Sequence, residues 1–327
     1  MEASYYEKID DSRVRCLLCP NSCIIGDGKR GTCRVRVNEG GVLNADAYAE
    51  VVALAIDPIE KKPLYHFHPS KPILSTGPNG CNFRCGFCQN SEISQGIVPT
   101  RHVSPEMLAD IATRDGSIGV AYTYTEPFIW FEYIRDTGAI VHDRGMVNVL
   151  VSNGYVCEEP LRELLPLIDA VNIDIKSMKR DFYEKVCGGH LSDVLRTVEI
   201  ASESCHVEVT NLVITGYNDG DDDFEMLVDW IHGVNPKIPL HFSRYFPHYR
   251  FKEPPTPVSR LERAFEIAKD KLPYVYLGNM HSEGASDTLC PSCGNVLVRR
   301  NNYTVRVDGV SDSVCTSCGT PVDIVGV

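Results

Sequence analysis

The stretch that decides the fold reads Gly80-Cys81-Asn82-Phe83-Arg84-Cys85-Gly86-Phe87-Cys88-Gln89-Asn90. It places three cysteines within eight residues, in a loop directly after a predicted strand at 72–76. Three thiolates can hold three irons of a [4Fe–4S] cluster, whereas full protein ligation takes four. The lone triad therefore predicts a cluster with one iron open to an outside ligand. Zinc is the alternative, with His66 or His68 as a further ligand.

Short β-branched or aromatic runs alternate with amphipathic helical stretches from about residue 71 to residue 279. This order predicts an α/β fold with a parallel sheet. Periodicity alone does not choose between a closed barrel, an open barrel and a doubly wound sheet. We predict strands at 72–76, 118–124, 147–152, 170–176, 206–214 and 239–245, with a further candidate at 274–278. The predicted helices are 105–114, 128–144, 159–167, 191–204, 222–234 and 258–271.

Polar residues within the fourth predicted strand indicate a cavity. Asn172, Asp174 and Lys176 are two residues apart, so their side chains point to one face of the strand. Strands of a parallel barrel are normally buried on both faces, so three polar groups on one face favour a polar cavity. A buried Asp–Lys ion pair is the structural alternative. Ser152-Asn153-Gly154 follows the third predicted strand, at the end where such folds present ligand contacts.

The spacing Cys-x3-Cys-x2-Cys, with an aromatic residue before the last cysteine, resembles the signature of the radical S-adenosylmethionine (SAM) superfamily. Glu126-Pro127 resembles the end of that family's Gly-Gly-Glu-Pro segment, with Tyr124 and Thr125 in place of the glycines. The resemblance implies an open (β/α)6 partial TIM barrel with SAM and a [4Fe–4S] cluster as cofactors. It also implies site residues. These are Cys81, Cys85 and Cys88 as cluster ligands, Glu126 for the methionyl ammonium, and Ser152, Asn153, Asp174 and Lys176 for the rest of SAM.

Residues 71–250 resemble the activating enzymes of glycyl-radical proteins, such as the pyruvate formate-lyase activating enzyme. The likeness rests on Asp174-Ile175-Lys176, on the segment 209–219 and on the segment 240–247 with its inward His241. It implies reductive cleavage of SAM to a 5′-deoxyadenosyl radical that abstracts hydrogen from a glycine of a partner protein. It also implies a one-electron donor such as flavodoxin or ferredoxin. A small molecule or another protein side chain is the alternative substrate.

Two further cysteine groups flank the core. Cys290, Cys293, Cys315 and Cys318 form two Cys-x-x-Cys-Gly turns, which predict a zinc-ribbon or rubredoxin-like module with zinc favoured and iron as the alternative. A second metal or an auxiliary cluster is predicted at a four-cysteine N-terminal site, made of Cys16, Cys19, Cys23 and Cys33. We therefore divide the chain into a cysteine-rich region at 1–70, a core at 71–285 and a terminal module at 286–327.

These three cysteine groups, together with the run 55–64, resemble over nearly the full length the radical SAM member of the AmmeMemoRadiSam system. That run reads Ala55-Ile56-Asp57-Pro58-Ile59-Glu60-Lys61-Lys62-Pro63-Leu64. The remaining cysteines, Cys157, Cys187 and Cys205, are isolated in the pattern, and we interpret them as small buried side chains. The motifs do not indicate what the family acts on.

The composition of the 327 residues sets outer limits on function. Hydrophobic residues make up 43% and charged residues 23%, as in ordinary globular proteins. The polar N-terminus and the reduced cysteines predict a cytoplasmic enzyme. Net charges of about −1, −10 and −1 for the three regions argue against nucleic-acid and membrane partners. A non-catalytic zinc scaffold or nucleic-acid adaptor is the alternative outside the enzyme class, and the acidic charge and the lone triad count against it.

Overall fold

The computed structural model describes residues 1–280 and 284–327. Residues 281–283, at the end of the predicted core, lie outside the described residues. The N-terminal region contains short antiparallel strands, β1 (Tyr6–Lys8), β2 (Arg13–Cys16), β3 (Ile24–Gly26), β4 (Arg36–Glu39), β5 (Val42–Ala45) and β6 (Glu50–Val51). Gly40 and Gly41 join β4 to β5 with φ angles of 60° and 80°. Two successive positive φ angles are what a type I′ hairpin turn requires.

The core is an eight-stranded sheet. The strands after β6 are β7 (Ala53–Pro58), which still lies within residues 1–70, and then β8 (Pro72–Gly77), β9 (Arg101–His102), β10 (Gly119–Tyr122), β11 (Val147–Ser152), β12 (Ala170–Asp174), β13 (His206–Val213), β14 (Leu240–Arg244) and β15 (Val275–Gly278). Their order in the sheet is β15-β14-β13-β12-β11-β10-β8-β7, while β9 pairs with β6. Neighbouring strands from β8 to β15 are parallel, and β7 pairs with β8 in the antiparallel direction.

Helices connect consecutive parallel strands. The α-helices are α1 (Ser91–Ser94), α2 (Pro105–Arg114), α3 (Phe131–Asp143), α4 (Glu158–Leu164), α5 (Arg180–Phe182), α6 (Leu191–Ser202), α7 (Asp221–Val234) and α8 (Val258–Lys269). Short 3-10 helices span Ile59–Lys61, Pro127–Trp130 and Leu165–Leu167, and a π-helix spans Tyr183–Cys187. Helix α2 begins as predicted, because Pro105 occupies its first position and the Ser104 hydroxyl accepts a bond from Met107 N.

The arrangement confirms the predicted α/β partial barrel. The sheet has seven parallel strands, including the candidate at its end, and β7 is an eighth strand that the pattern did not indicate. The two edge strands, β15 and β7, do not pair with each other within residues 1–280 and 284–327. The barrel is therefore open on that side. Within the described part of the chain, every helix is too short or too polar to cross a membrane.

The C-terminal module is built from two small sheets. It contains β16 (Thr288–Leu289), β17 (Val296–Asn301), β18 (Thr304–Arg306), β19 (Val310–Ser311) and β20 (Val314–Cys315). Strands β16 to β18 are antiparallel, and β19 pairs with β20. The module has its own cluster of buried side chains, which includes Leu297, Val298, Val322 and Ile324. The pairs β17–β18 and β19–β20 are two short hairpins.

A buried hydrogen-bond network joins β13 and β14 to the segment before the core. The Glu208 carboxylate contacts His206 at 3.0 Å and His241 at 2.6 Å, and it accepts a bond from His66 N. Burial opposes the charge of Glu208, but the hydrogen bonds from His206 and His241 outweigh it and hold the pKa of this carboxyl well below its usual value. Glu208 and His241 lie near the starts of β13 and β14. The network is therefore at the end of the barrel opposite to the cysteine triad.

Candidate functional site

The cysteine triad lies at the carboxyl ends of the strands, in a cavity of about 550 Å³. Cys81, Cys85 and Cys88 all line this cavity, because the loop after β8 brings the three thiols to its wall. Gly80, directly before the triad, has a φ of 94°, and a Cβ there would lie 2.4 Å from the Cys33 carbonyl oxygen. This close approach packs the triad loop against the N-terminal cysteine region.

Several polar groups approach the triad sulfurs. Phe83 N donates to the Cys81 sulfur at 3.4 Å, and the Asn153 amide nitrogen lies 3.7 Å from the same sulfur. The Ser94 hydroxyl lies 3.1 Å from the Cys88 sulfur. Hydrogen bonds to ligating sulfurs are one of the means by which proteins set the reduction potential of an iron–sulfur cluster. The surroundings of the triad thus fit thiolates that bind iron.

Burial raises the pKa of the Cys81 and Cys88 thiols. A thiolate at either position therefore needs a compensating positive charge, such as a metal ion. The Lys176 ammonium is a nearby cation that opposes the shift at Cys88. The Cys85 thiol is also raised in pKa, and the largest cause is a hydrogen bond with Cys187.

Cys187 is a residue that the sequence pattern missed. It is fully buried, as predicted, but it ends the π-helix and lies beside a triad thiol. Its carbonyl oxygen accepts a bond of 2.7 Å from Arg84 N, within the triad loop. A π-helix is uncommon and is often found at functional sites, but its presence depends on long-range packing that local sequence does not reveal. Cys157 and Cys205 are partly buried and lie outside the cavity wall.

Asp174 and Lys176 form an ion pair on the cavity wall. The Lys176 ammonium lies 2.7 Å from the Asp174 carboxylate, with side-chain exposures of 14% and 29%. Burial works against the charge of Lys176, but Asp174 and the neighbouring thiols outweigh it and raise the pKa of this ammonium. Asn172, the third polar residue of this strand, lines the same cavity. The structure therefore brings the predicted polar face of β12 to the triad.

Glu126 is buried behind the cavity wall and does not line it. Its Oε1 accepts bonds from the Ser152 hydroxyl at 2.8 Å and from Phe128 N at 2.9 Å, and its Oε2 accepts one from Asn153 N at 2.8 Å. Burial raises the pKa of this carboxyl to about 7 despite these bonds. Ser152 and Asn153 do line the cavity, so Glu126 is connected to the cavity wall through its hydrogen bonds with them.

The two histidines proposed as extra zinc ligands lie outside this wall. The two ring nitrogens of His66 are bonded to Tyr276 Oη at 2.6 Å and to the Asp323 carbonyl oxygen at 2.7 Å. His68 packs against Gly326. Neither is among the residues that line the cavity. Neither histidine is therefore placed to act as the fourth zinc ligand that this alternative assigns to it.

The C-terminal thiols have the spacing of a mononuclear metal site. The sulfurs of Cys290 and Cys318 are 3.7 Å apart, as are those of Cys293 and Cys315. A tetrahedral ion with bonds of ~2.3 Å separates its thiolates by ~3.8 Å. Among the residues described, only this quartet brings three or more candidate ligand atoms within 4.8 Å of one another. The triad is spread more widely, as expected when each thiolate binds a different iron.

The N-terminal cysteines share one small buried cavity of about 10 Å³. Its wall includes the four cysteines, apolar residues such as Leu18 and Ile25, and Arg36, which has an ion pair with Glu132. Burial raises the pKa of three of these thiols, Cys16, Cys19 and Cys33. The structure thus brings all four residues, Cys16, Cys19, Cys23 and Cys33, to one place.

Comparison with known proteins identifies a family profile and relatives that resemble this chain. The sequence profile of the Radical SAM superfamily matches residues 76–231. An uncharacterised protein of Methanocaldococcus jannaschii is 45% identical over 94% of this chain and 93% of its own length. The 4-hydroxyphenylacetate decarboxylase activating enzyme of Clostridium scatologenes is 25% identical over 57% of this chain and 60% of its own.

Among solved structures, a radical SAM methyltransferase from Sphaerobacter thermophilus matches with a TM-score of 0.50 at 14% identity. The match covers 72% of this chain and 71% of the methyltransferase. At this identity the likeness concerns the fold alone. The profile match covers the triad and the strands β10 to β13.

Proposed function

We propose, from the match of residues 76–231 to the Radical SAM superfamily, that Cys81, Cys85 and Cys88 bind a [4Fe–4S] cluster at which SAM is reductively cleaved. The observation that carries the proposal is the single cavity that these thiols share with Asp174 and Lys176. Three thiolates leave one iron for SAM, and a polar wall beside them suits a charged cosubstrate. The enzyme is a radical SAM oxidoreductase in this proposal.

Held by Cys81, Cys85 and Cys88, such a cluster would supply one electron, received from a donor such as flavodoxin or ferredoxin, for cleavage of SAM between its sulfur and C5′ to methionine and a 5′-deoxyadenosyl radical that would take hydrogen from the substrate. The chain holds the cosubstrate for this step. Lys176 and Asp174 offer opposite charges to the carboxylate and amino groups of the methionyl part. Ser152 and Asn153 offer hydrogen bonds from the strand end. Glu126 is proposed as a positioning residue. It holds Ser152 and Asn153 by hydrogen bonds and so orients them toward the methionyl ammonium.

Asp174→Asn and Lys176→Met are expected to lower 5′-deoxyadenosine formation at least about tenfold, because each removes a charge-assisted contact to SAM. Cluster content and melting temperature should stay close to those of the unmodified protein. The matched control is Asp181→Asn with Lys185→Met, an exposed ion pair on the following helix. A purely structural role for Asp174 and Lys176 would instead show as a loss of about 3–5 kcal/mol in stability, with normal turnover per folded molecule.

The finer proposal for the substrate is a glycine of a partner protein. It is supported by the similarity to an activating enzyme and by the resemblance of Asp174-Ile175-Lys176 to a segment of that enzyme class. A small molecule is the second candidate, and the observation that favours it is a pair of lysines, Lys61 and Lys62, in the cavity wall. Membership of the AmmeMemoRadiSam system is part of the proposal, and it rests on the three cysteine groups.

The flanking sites complete the proposal. We assign a second metal or auxiliary cluster to the N-terminal quartet within residues 1–70, and one metal ion, with zinc favoured, to the C-terminal quartet within residues 286–327. The close sulfur spacing supports the C-terminal assignment. Iron in a rubredoxin-like site uses the same ligands.

Replacing Cys290 and Cys293 with alanine is expected to release one metal ion per chain and leave the central cluster in place, because the two sites share no ligand. Metal analysis combined with the visible spectrum of the cluster measures both. Cys205→Ala serves as the control, since this thiol lies outside all three sites. If the variant loses iron and the red thiolate-to-iron absorption, the site holds iron as in rubredoxin and not zinc. If the metal content of the variant is unchanged, the proposed site is contradicted.

A further inference from the structure

A group of residues on the open side of the barrel contributes to the cavity wall. We call it the lysine wall, and it consists of Asp57, Lys61, Lys62, Tyr124 and Tyr303. Three of these residues follow or end the edge strand β7, and Tyr303 lies in the turn between β17 and β18. Four of the five therefore come from outside residues 71–285. Residues 55–64, which the sequence singled out without a role, supply the charged members.

The lysine wall holds two ammonium groups and one carboxylate. Lys61 donates to Asp57 Oδ1 at 2.8 Å, and Lys62 donates to Asp57 Oδ2 at 2.9 Å. Burial alone would raise the pKa of Asp57, but the hydrogen bonds from both lysines bring it to about 2, so the carboxylate is ionised at neutral pH. The other ion pair of the cavity, Asp174 with Lys176, is balanced in charge. The lysine wall therefore carries one positive charge in excess.

Lys62 is the unusual member because it is a buried cation with spare hydrogen-bond donors. Its side chain is 3% exposed, and its ammonium has three N–H groups. Asp57 is its one hydrogen-bond acceptor within the described residues. The centre of the Tyr124 ring lies 5.1 Å from the ammonium, which is a cation–π contact and not a conventional hydrogen bond. Burial lowers the pKa of Lys62 from its ordinary value, so a second anion at this position would stabilise the charged form.

Tyr124 is held in a backbone conformation that is unfavourable for a residue with a side chain. Its φ is 72°, in the left-handed region that favours glycine, and its carbonyl oxygen accepts a bond from the Asn90 amide at 2.6 Å. The hydroxyl donates to Asp57 Oδ2 at 3.2 Å. Such strain persists where the surroundings enforce it, and it occurs frequently at ligand sites. Here the strained backbone places the ring against Lys62.

The C-terminal module fixes the outer part of the lysine wall. The Lys61 ammonium lies 5.3 Å from the centre of the Tyr303 ring. Arg300, on β17, donates to the Tyr65 carbonyl oxygen at 2.6 Å and to Thr288 Oγ1 at 2.8 Å. The bond to Tyr65 connects the hairpin that carries Tyr303 to the segment that follows Lys62, and the bond to Thr288 ties the same arginine to β16. The module thus forms part of the cavity and is more than a terminal appendage.

We propose that the lysine wall binds the anionic group, a carboxylate or a phosphate, of a small-molecule substrate in the cavity it shares with the cysteine triad. The inference rests on the proposed SAM cleavage at the triad, and for the substrate it takes the second candidate named above, a small molecule, over a glycine of a partner protein. An anion between Lys61 and Lys62 removes the excess charge and gives Lys62 an acceptor for its spare protons. The aromatic rings of Tyr124 and Tyr303 flank the two ammonium groups and would shield the bound anion from water.

The test measures binding to the cluster-loaded protein with saturating SAM and no reductant, so that no turnover occurs. The probes are glutarate, glycerol 3-phosphate and the neutral glutaramide. The binding of each is measured by isothermal titration calorimetry. We expect at least one of the anions to bind and glutaramide not to bind. Whichever anion binds identifies the carboxylate or the phosphate source. Lys62→Met should weaken the binding at least about tenfold. Lys61→Met should weaken it about threefold and should disturb folding less, because the Lys61 side chain is 41% exposed.

Lys8→Met is the matched control, since Lys8 is an exposed lysine on β1 and should leave binding unchanged. Melting temperatures of all variants report folding separately. Equal binding of all three probes, or equal binding by the unmodified protein and both lysine variants, would overturn the proposal. Cluster content and SAM affinity are read in the same samples. A failure of the proposed function would appear in those two quantities, whether or not the anions bind.

Discussion

Arg36→Met is expected to reduce the free energy of unfolding by about 3–5 kcal/mol, because it leaves the buried Glu132 carboxylate without its partner. Arg36 on β4 and Glu132 on α3 form a bidentate ion pair, with nitrogen–oxygen distances of 2.9 and 2.7 Å. The side chain of each residue is 1% exposed. Ser4 N also donates to Glu132 at 2.7 Å. The pair therefore fastens the N-terminal region to the barrel.

Equilibrium urea denaturation under anaerobic, reducing conditions measures this loss. The exposed pair Arg15 with Glu7 gives the control, and Arg15→Met should cost about 0–1 kcal/mol. The double variant Arg36→Met with Glu132→Leu should regain most of the lost stability, since it removes both buried charges. If Arg36→Met cost no more than Arg15→Met, the N-terminal region would not depend on this pair.

The order of strands and helices was predictable because its signals are local, whereas the open barrel was implied by the family resemblance. Helix α2 and strand β11 have the predicted bounds, since a capping serine with a following proline and a run of apolar residues are read within one segment. Strand β12 ends two residues earlier than predicted, at Asp174, yet Lys176 still lines the cavity. Strand β7 was missed because its pairing with β8 crosses the turn-rich segment 59–71, where the sequence shows no hairpin pattern.

The candidate site was predictable only where a motif or a period carried it. The triad and the polar face of β12 have such signals, and both line the cavity. Glu126 was expected to contact SAM itself, and its burial behind Ser152 and Asn153 depends on how two strands pack. Cys187 and the lysine wall come from distant parts of the chain. The Tyr303 contact joins residues 61 and 303, and local sequence holds no information on such a pairing.

Replacing Cys81, Cys85 and Cys88 together with alanine is expected to abolish 5′-deoxyadenosine formation and to remove the iron of the central cluster. The physical reason is that the cavity then offers no thiolate to hold iron, so SAM meets no electron donor. The C-terminal metal should remain, because its four ligands are separate. Cys205→Ala is the control with one thiol fewer and all three sites intact.

The central claim is tested most directly by quantifying 5′-deoxyadenosine and methionine after anaerobic incubation of the reconstituted protein with SAM and dithionite. The account predicts equal amounts of the two products from the unmodified protein and from Cys205→Ala, and none above background from the triple alanine variant. Undiminished 5′-deoxyadenosine from the triple variant, or intact SAM after incubation with the cluster-loaded protein, would contradict it.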